Sequence, residues 1–165
     1  MSNPTKPRFL TPATVELLES STSALQVASR DARFRPHMAR VYYCRVDAER
    51  ERVWLGISSQ AAGALMDDVR ANSIVALVAC NIRTFYTIQV KGTDARLESA
   101  DEALKRGAVA YHDRFVRELA AQGFSPAAIE GHMHLDLEHL LALTFTATAA
   151  FVQTPGPGAG AAVAT

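Results

Sequence analysis

The chain has 165 residues, nearly half of them apolar, and a formal net charge of zero. That length suits one domain with a sizeable core. The neutral balance argues against a sequence-independent nucleic-acid binder or an anionic-membrane binder, since both need a basic excess. No apolar run approaches the roughly 20 residues that span a bilayer. Met1 to Arg8 is polar and proline-bearing, without the apolar centre of a signal peptide, so a cytoplasmic protein is expected.

Thr11-Pro12 opens a first helix to about Ser20: Thr11 can cap, Pro12 suits the first helical position and Leu10 can staple to Val15. Ala24 to Ser29 reads as a short strand, Arg30 to Phe34 as a charged turn, and Arg35 to Val46 as a long strand rich in Tyr and Val. Asp47 to Glu51 is a charged hairpin connection, and Val53 to Ile57 is a third strand. Gln60 to Asn72 predicts a helix, with Leu65 and Val69 one turn apart. Ile74 to Cys80 is continuously apolar, which predicts a strand buried on both faces. Tyr86 to Leu97 reads as a fifth strand, with Gly92 as a bulge or close-approach point.

Ser99-Ala-Asp-Glu102 has the spacing of a capping box and predicts the start of the longest helix. Leu104, Ala108, Tyr111, Phe115 and Leu119 form its apolar stripe, and Gly123 ends it. Ser125-Pro126 starts a short helix through about Glu130. Leu140 to Val152 is a last strand, and Gln153 to Gly160 cannot be regular structure. Six strands with short connections favour antiparallel pairing. The expected architecture is mainly β with flanking helices, a six-stranded antiparallel barrel, against a ferredoxin-like α+β sandwich as the other candidate. The whole of 1–165 is expected to form one domain, with an N-terminal helix at 11–20, a helical insertion at 99–131 and a Gly/Pro-rich tail at 153–165. Cys44 and Cys80, the only cysteines, lie in apolar runs and read as buried, reduced thiols.

The stretch from Val53 to Gly92 carries the chemistry. A hydroxyl-and-amide loop, Ser58-Ser59-Gln60, sits between a buried strand and an amphipathic helix. Free N–H donors and the helix dipole favour an anion there, although the same serines can simply cap the helix. Gln89 on a nearby strand could read the edge of a planar heterocycle, or face solvent with Thr87 and Lys91. His132, His134 and His139 lie near Asp136 and Glu138, but show no helical pair at metal-ligand spacing, and no metal is assigned. His37 reads as a satisfied strand histidine and His112 as an exposed one. No Ser-His-Asp spacing, Walker loop or Rossmann glycine pattern is present.

Arg35-Pro36-His37-Met38-Ala39-Arg40-Val41, Leu55-Gly-Ile-Ser58-Ser59-Gln60, Arg70-Ala-Asn72 before Ile74-Val-Ala-Leu-Val78, Thr87-Ile-Gln89-Val-Lys-Gly92 and the ending Gln153 to Gly160 follow one another in an order. That order resembles the pyridoxamine 5'-phosphate oxidase-like, FMN-binding split-barrel family. The resemblance implies a homodimer with FMN at the subunit interface and a small-molecule substrate. It places Arg40 on the phosphate, with Ser58, Ser59 and Gln60 as hydrogen-bond donors. Backbone groups of Val41 and Ile57 would flank the ring, and Gln89 would add a polar contact. Arg suits the role because its planar fork engages two phosphate oxygens. The glycine-rich tail would close over the site. The chain departs from the family at Ala61-Ala62-Gly63-Ala64, where members often carry a Lys or Arg; Lys91 or another arginine would have to compensate. The resemblance implies an FMN-dependent oxidoreductase. A non-catalytic flavin- or haem-binding protein, or a deazaflavin-dependent reductase, are the alternatives on the same fold.

Overall fold

A computed structural model describes residues 8–163; Met1 to Pro7 of the polar N-terminal stretch lie outside the described residues. The elements run α1 (Pro12–Glu19), β1 (Ser23–Arg30), β2 (Pro36–Val46), β3 (Arg52–Ser58), α2 (Gly63–Asn72), β4 (Val75–Asn81), β5 (Thr87–Gly92), β6 (Arg96–Ser99), α3 (Glu102–Ala121), α4 (Pro126–His132), β7 (Leu140–Thr146) and β8 (Ala149–Val152). The strands form one antiparallel sheet in the order β6-β7-β3-β2-β1-β4-β5-β8, curled into a split barrel. None of the described helices is long and apolar enough to cross a membrane.

The six expected strands appear as eight because two long ones break. The stretch read as a fifth strand divides into β5 and β6 at Thr93–Ala95, where Asp94 accepts from the Thr146 N–H at 2.6 Å and the Thr146 hydroxyl at 2.8 Å. The last strand divides into β7 and β8 at Ala147–Thr148. Each break carries the chain from one end of the curled sheet to the other, because β5 and β8 lie at one end while β6 and β7 lie at the other. Gly92 permits this closure: a Cβ there would meet Phe145 Cδ2 at 2.3 Å and the Thr146 carbonyl at 2.9 Å.

The core lies inside the curl. Leu25, Val27, Val41, Leu55, Ile57, Leu77, Val90, Leu143 and Phe145 are fully buried there. α2 meets this core through Leu65, Met66 and Val69. Asp68 on α2 pairs with His37 Nδ1 at 2.8 Å, so His37 is the satisfied strand histidine expected of it. Thr11 caps α1, accepting from the Thr14 N–H at 3.1 Å.

Four local readings need correction. α2 begins at Gly63, not Gln60, and no side chain caps it. The Ser58 hydroxyl accepts from the Ala61 N–H at 3.4 Å first, a local side-chain bond that competes with helix. α3 is capped by Asp101, which accepts from the Leu104 N–H at 2.6 Å, and not by Ser99, which stays in β6. β4 is buried on one face only; Ala76, Val78 and Cys80 lie half-exposed on the other. Cys80 is therefore not a core thiol, whereas Cys44 is, and burial pushes its thiol well above the usual range.

α3 covers the outer surface of β2 and β3. Its predicted stripe of Leu104, Ala108, Tyr111, Phe115 and Leu119 is buried along its length. The Tyr111 hydroxyl donates to the Ser23 carbonyl at 2.7 Å. Beyond Ala24, the outer surface of β1, β4, β5 and β8 has no such cover among the described residues. Arg40, Gln26, Val78, Gln89 and Phe151 are successive cross-strand partners in one row over it.

Candidate functional site

β2 and β3 meet at Val41 and Ile57, which are paired and wholly buried with side chains facing the core. The ladder slips between Val41 and Tyr43, so β2 carries an extra residue there. Such a bulge leaves backbone polar groups outside the ladder. One step beyond the pair, Arg40 and Ser58 occupy adjoining positions on the outer surface. Ser59 is fixed by its N–H, which donates to the His139 carbonyl at 2.8 Å. The Ser58 hydroxyl accepts from the Ala61 N–H at 3.4 Å. The Ser59 hydroxyl and Gln60 amide bond to no other described residue.

The structure thus brings Arg40, Val41, Ile57, Ser58, Ser59 and Gln60 to one place. Gln89 is not there. It lies three strands away, about 14 Å at ordinary strand spacing, in a groove with Ser29, Ile74 and Lys91. Lys91 sits over the Phe151 ring at 5.1 Å and supplies no charge beside Ala61 in the same chain. The glycine-rich tail folds back on β8, with Phe151 bridging Ala162, and so lies across the sheet from Arg40.

Arg40 has an unforeseen neighbour. α4 places His132 against it, with Nη2 donating to the imidazole Nε2. Arg40's charge, and then burial, hold the His132 pKa below its ordinary value, so the ring is neutral at neutral pH and can accept this bond. Arg40 Nη1 is buried and has no hydrogen-bond partner among the described residues. An unsatisfied cationic donor of this kind calls for an acceptor. His112 and His134 line one cleft, while His139 gathers with Asp136 and Glu138, their ligand atoms within 4.8 Å of one another. His134 lines a cleft of about 460 Å³ between α3 and α4. His112, expected to be exposed, is half-buried and its Nε2 donates to the Met133 carbonyl at 2.8 Å. Asp136 accepts from the Glu138 N–H at 2.9 Å and from His139 Nδ1 at 2.8 Å, closing its own turn.

This donor set fits a phosphate group: one guanidinium with a free arm, two hydroxyls, an amide, and an α2 N-terminus that no side chain caps. Its single fixed cation makes it a weaker seat than two would.

No protein-family model matches the chain. A comparison with curated proteins gives no match in sequence. Solved structures do match in shape. HupZ from Group A Streptococcus superposes with a TM-score of 0.54 at 14% identity, covering 92% of this chain and 99% of that one. A protein from Lactobacillus delbrueckii, described as a candidate pyridoxamine 5'-phosphate oxidase, gives 0.54 at 14% identity, covering 89% and 97%. The fold is the pyridoxamine 5'-phosphate oxidase-like split barrel. An F420 reductase shares it at a TM-score of 0.53 and 15% identity, covering 85% of this chain and 98% of that one. Within this split barrel, Arg40 and the Ser58–Gln60 loop flank the point where β2 bulges away from β3, and α3 and α4 form the insertion beside them.

Proposed function

We propose that this chain is an FMN-binding oxidoreductase, with the cofactor phosphate held between Arg40 and Ser58, Ser59 and Gln60. The observation that carries the reading is the buried, unpartnered Arg40 Nη1 beside a loop of free hydroxyl and amide groups. The bulge at Tyr42 offers backbone groups next to Val41 and Ile57 for the ring. A bound flavin would supply the hydride or electron transfer. The chain's own part is to bind and orient it: Arg40 by charge, the loop by hydrogen bonds, and the sheet by its outer surface.

The reading includes a homodimer formed through the outer surface of β1, β4, β5 and β8. Half-exposed Ala76, Val78 and Cys80 along β4, with Phe151 on β8, support it, since apolar side chains on an open sheet face are poorly suited to water. Gln89 joins the cofactor only in such a dimer, where a second copy brings it across the interface. The substrate is a small molecule whose class the seat does not define.

Purification provides the test. A yellow dimer that releases FMN on denaturation is the expected result; a colourless protein that fails to take up added FMN would sink the reading. Arg40→Ala should weaken FMN binding by ~1.5–3 kcal/mol, and unchanged affinity would reject the phosphate role. The likeness to an F420 reductase supports a second reading, in which the same seat takes a deazaflavin. Uptake of F420 in preference to FMN by the purified chain would select it.

A further inference from the structure

α4 is a short helix held to the rest of the protein by few buried side chains, chiefly Ile129 and Met133 just beyond it. Residues 120–125, which lead into it, are all exposed, as are the first three residues of α4 itself. Beneath it lies a chamber of about 420 Å³, within the range of small-molecule sites. Ala24 and Ile82 form one wall, Phe115 and Leu119 of α3 another, and Phe124 and Ile129 the rim. Phe124 is half-exposed at that rim, after Gly123 turns the chain with φ +89°.

The chamber is apolar except where Arg40 and His132 enter it together. Their pairing uses Nη2, while Nη1 is buried without a partner. An apolar cavity with one convergent cation is the form of a site for an amphipathic anion. With the guanidinium turned toward the pocket, a carboxylate, sulfonate or phosphate monoester oxygen would satisfy that donor, and the hydrocarbon body would meet the Phe and Leu walls. A peptide helix, about 10–12 Å across, is too wide for a pocket of this volume. A bare inorganic anion would leave the apolar walls unused.

We propose that this chamber binds a small molecule with an aromatic or aliphatic body and a single anionic group, the anion held by Arg40 and the body by Phe115, Leu119 and Ile129. The site belongs to the helical insertion and uses none of Ser58, Ser59 or Gln60. It shares the Arg40 Nη1 donor with the flavin seat, so the two anions would compete for it, and the probes are read on flavin-free protein.

Anilinonaphthalene sulfonate is a suitable probe, because it combines an aromatic body with one sulfonate and brightens in apolar sites. Phenylnaphthylamine is its uncharged counterpart. The wild-type chain is expected to bind both. Arg40→Met keeps the apolar stem and removes the charge; it should weaken the sulfonate by about tenfold or more while shifting the neutral probe less than twofold. Ala24→Phe should fill the floor of the chamber and weaken both probes. Ser59→Ala, which touches only the flavin seat, should leave both unchanged, and FMN uptake is read separately from the flavin spectrum. The proposal is overturned if Arg40→Met affects the two probes equally, or if Ala24→Phe leaves both intact while the variant melts as wild type.

Discussion

Gly107 lies in the middle of α3, where glycine costs about 1 kcal/mol relative to alanine. Tyr43 explains it. A Cβ at Gly107 would sit 2.3, 2.4 and 2.6 Å from Tyr43 Cε1, Cζ and Cδ1. Ordinary carbon contacts lie at about 3.5–4.0 Å, so either the ring or the helix would have to move by ~1 Å. The helix has little room, because Leu104 and Ala108 on the same face are buried against the sheet. Gly107→Ala should therefore cost ~1–3 kcal/mol in overpacking, against about 1 kcal/mol regained in helix propensity. The net expectation is a loss of ~0–2 kcal/mol. In a Tyr43→Ala background the obstacle is gone, and the same alanine should stabilise by about 1 kcal/mol. The change of sign is the diagnostic, with a coupling of ~1–3 kcal/mol. Guanidinium unfolding midpoints of the four proteins measure it. If alanine stabilises both backgrounds equally, α3 does not ride on the Tyr43 ring and the account of the insertion fails.

Two further expectations concern the open sheet face and α4. Val78 sits half-exposed at the centre of the uncovered row, so Val78→Arg should convert a dimer to a monomer with little loss of fold; sedimentation showing the same species before and after would remove this face from the interface. His132 has a folded pKa below its unfolded value, through Arg40's charge and then burial. The stability it lends α4 is therefore present above the ordinary histidine range and lost as pH falls through the lowered value. Protection from hydrogen exchange in residues 125–135, taken relative to the intrinsic rate at each pH, should fall as pH drops below the ordinary histidine range, and His132→Gln should remove that dependence; protection that is flat with pH in the wild type would contradict the Arg40–His132 pairing.

Much of this fold was legible because its signals are local. Thr11-Pro12 begins α1, the stripe from Leu104 to Leu119 is the buried face of α3, and Ser125 caps α4. The breaks at Thr93–Ala95 and Ala147–Thr148 were not legible, since what bends the chain is Phe145 against Gly92 and Thr146 on Asp94, contacts between residues some fifty positions apart. The both-face burial expected of β4 failed for a related reason: its outward Ala76, Val78 and Cys80 are apolar like its inward residues, so hydropathy alone could not show that one side lacks cover in a single chain. At the site, Arg40 adjoins Ser58 in the β2–β3 register, an adjacency the family resemblance implied, whereas Gln89 is separated by sheet order, which one sequence does not specify. His132 was noticed only as part of a histidine cluster. Its meeting with Arg40 spans 92 positions, and no local pattern announces such a contact.

The order in which the barrel is completed bears on how the chain emerges during synthesis. β3 finds its second neighbour, and β6 its only one, in β7, while β5 waits for β8. All of these partners lie after α4. A nascent chain that has emerged only through α3 therefore carries three strands with open hydrogen-bonding edges, the condition that favours off-pathway pairing. The two helices of the insertion lengthen that interval. Slowing the emergence of residues 100–135 should then lower the soluble yield, whereas a delay once Val152 has emerged should not.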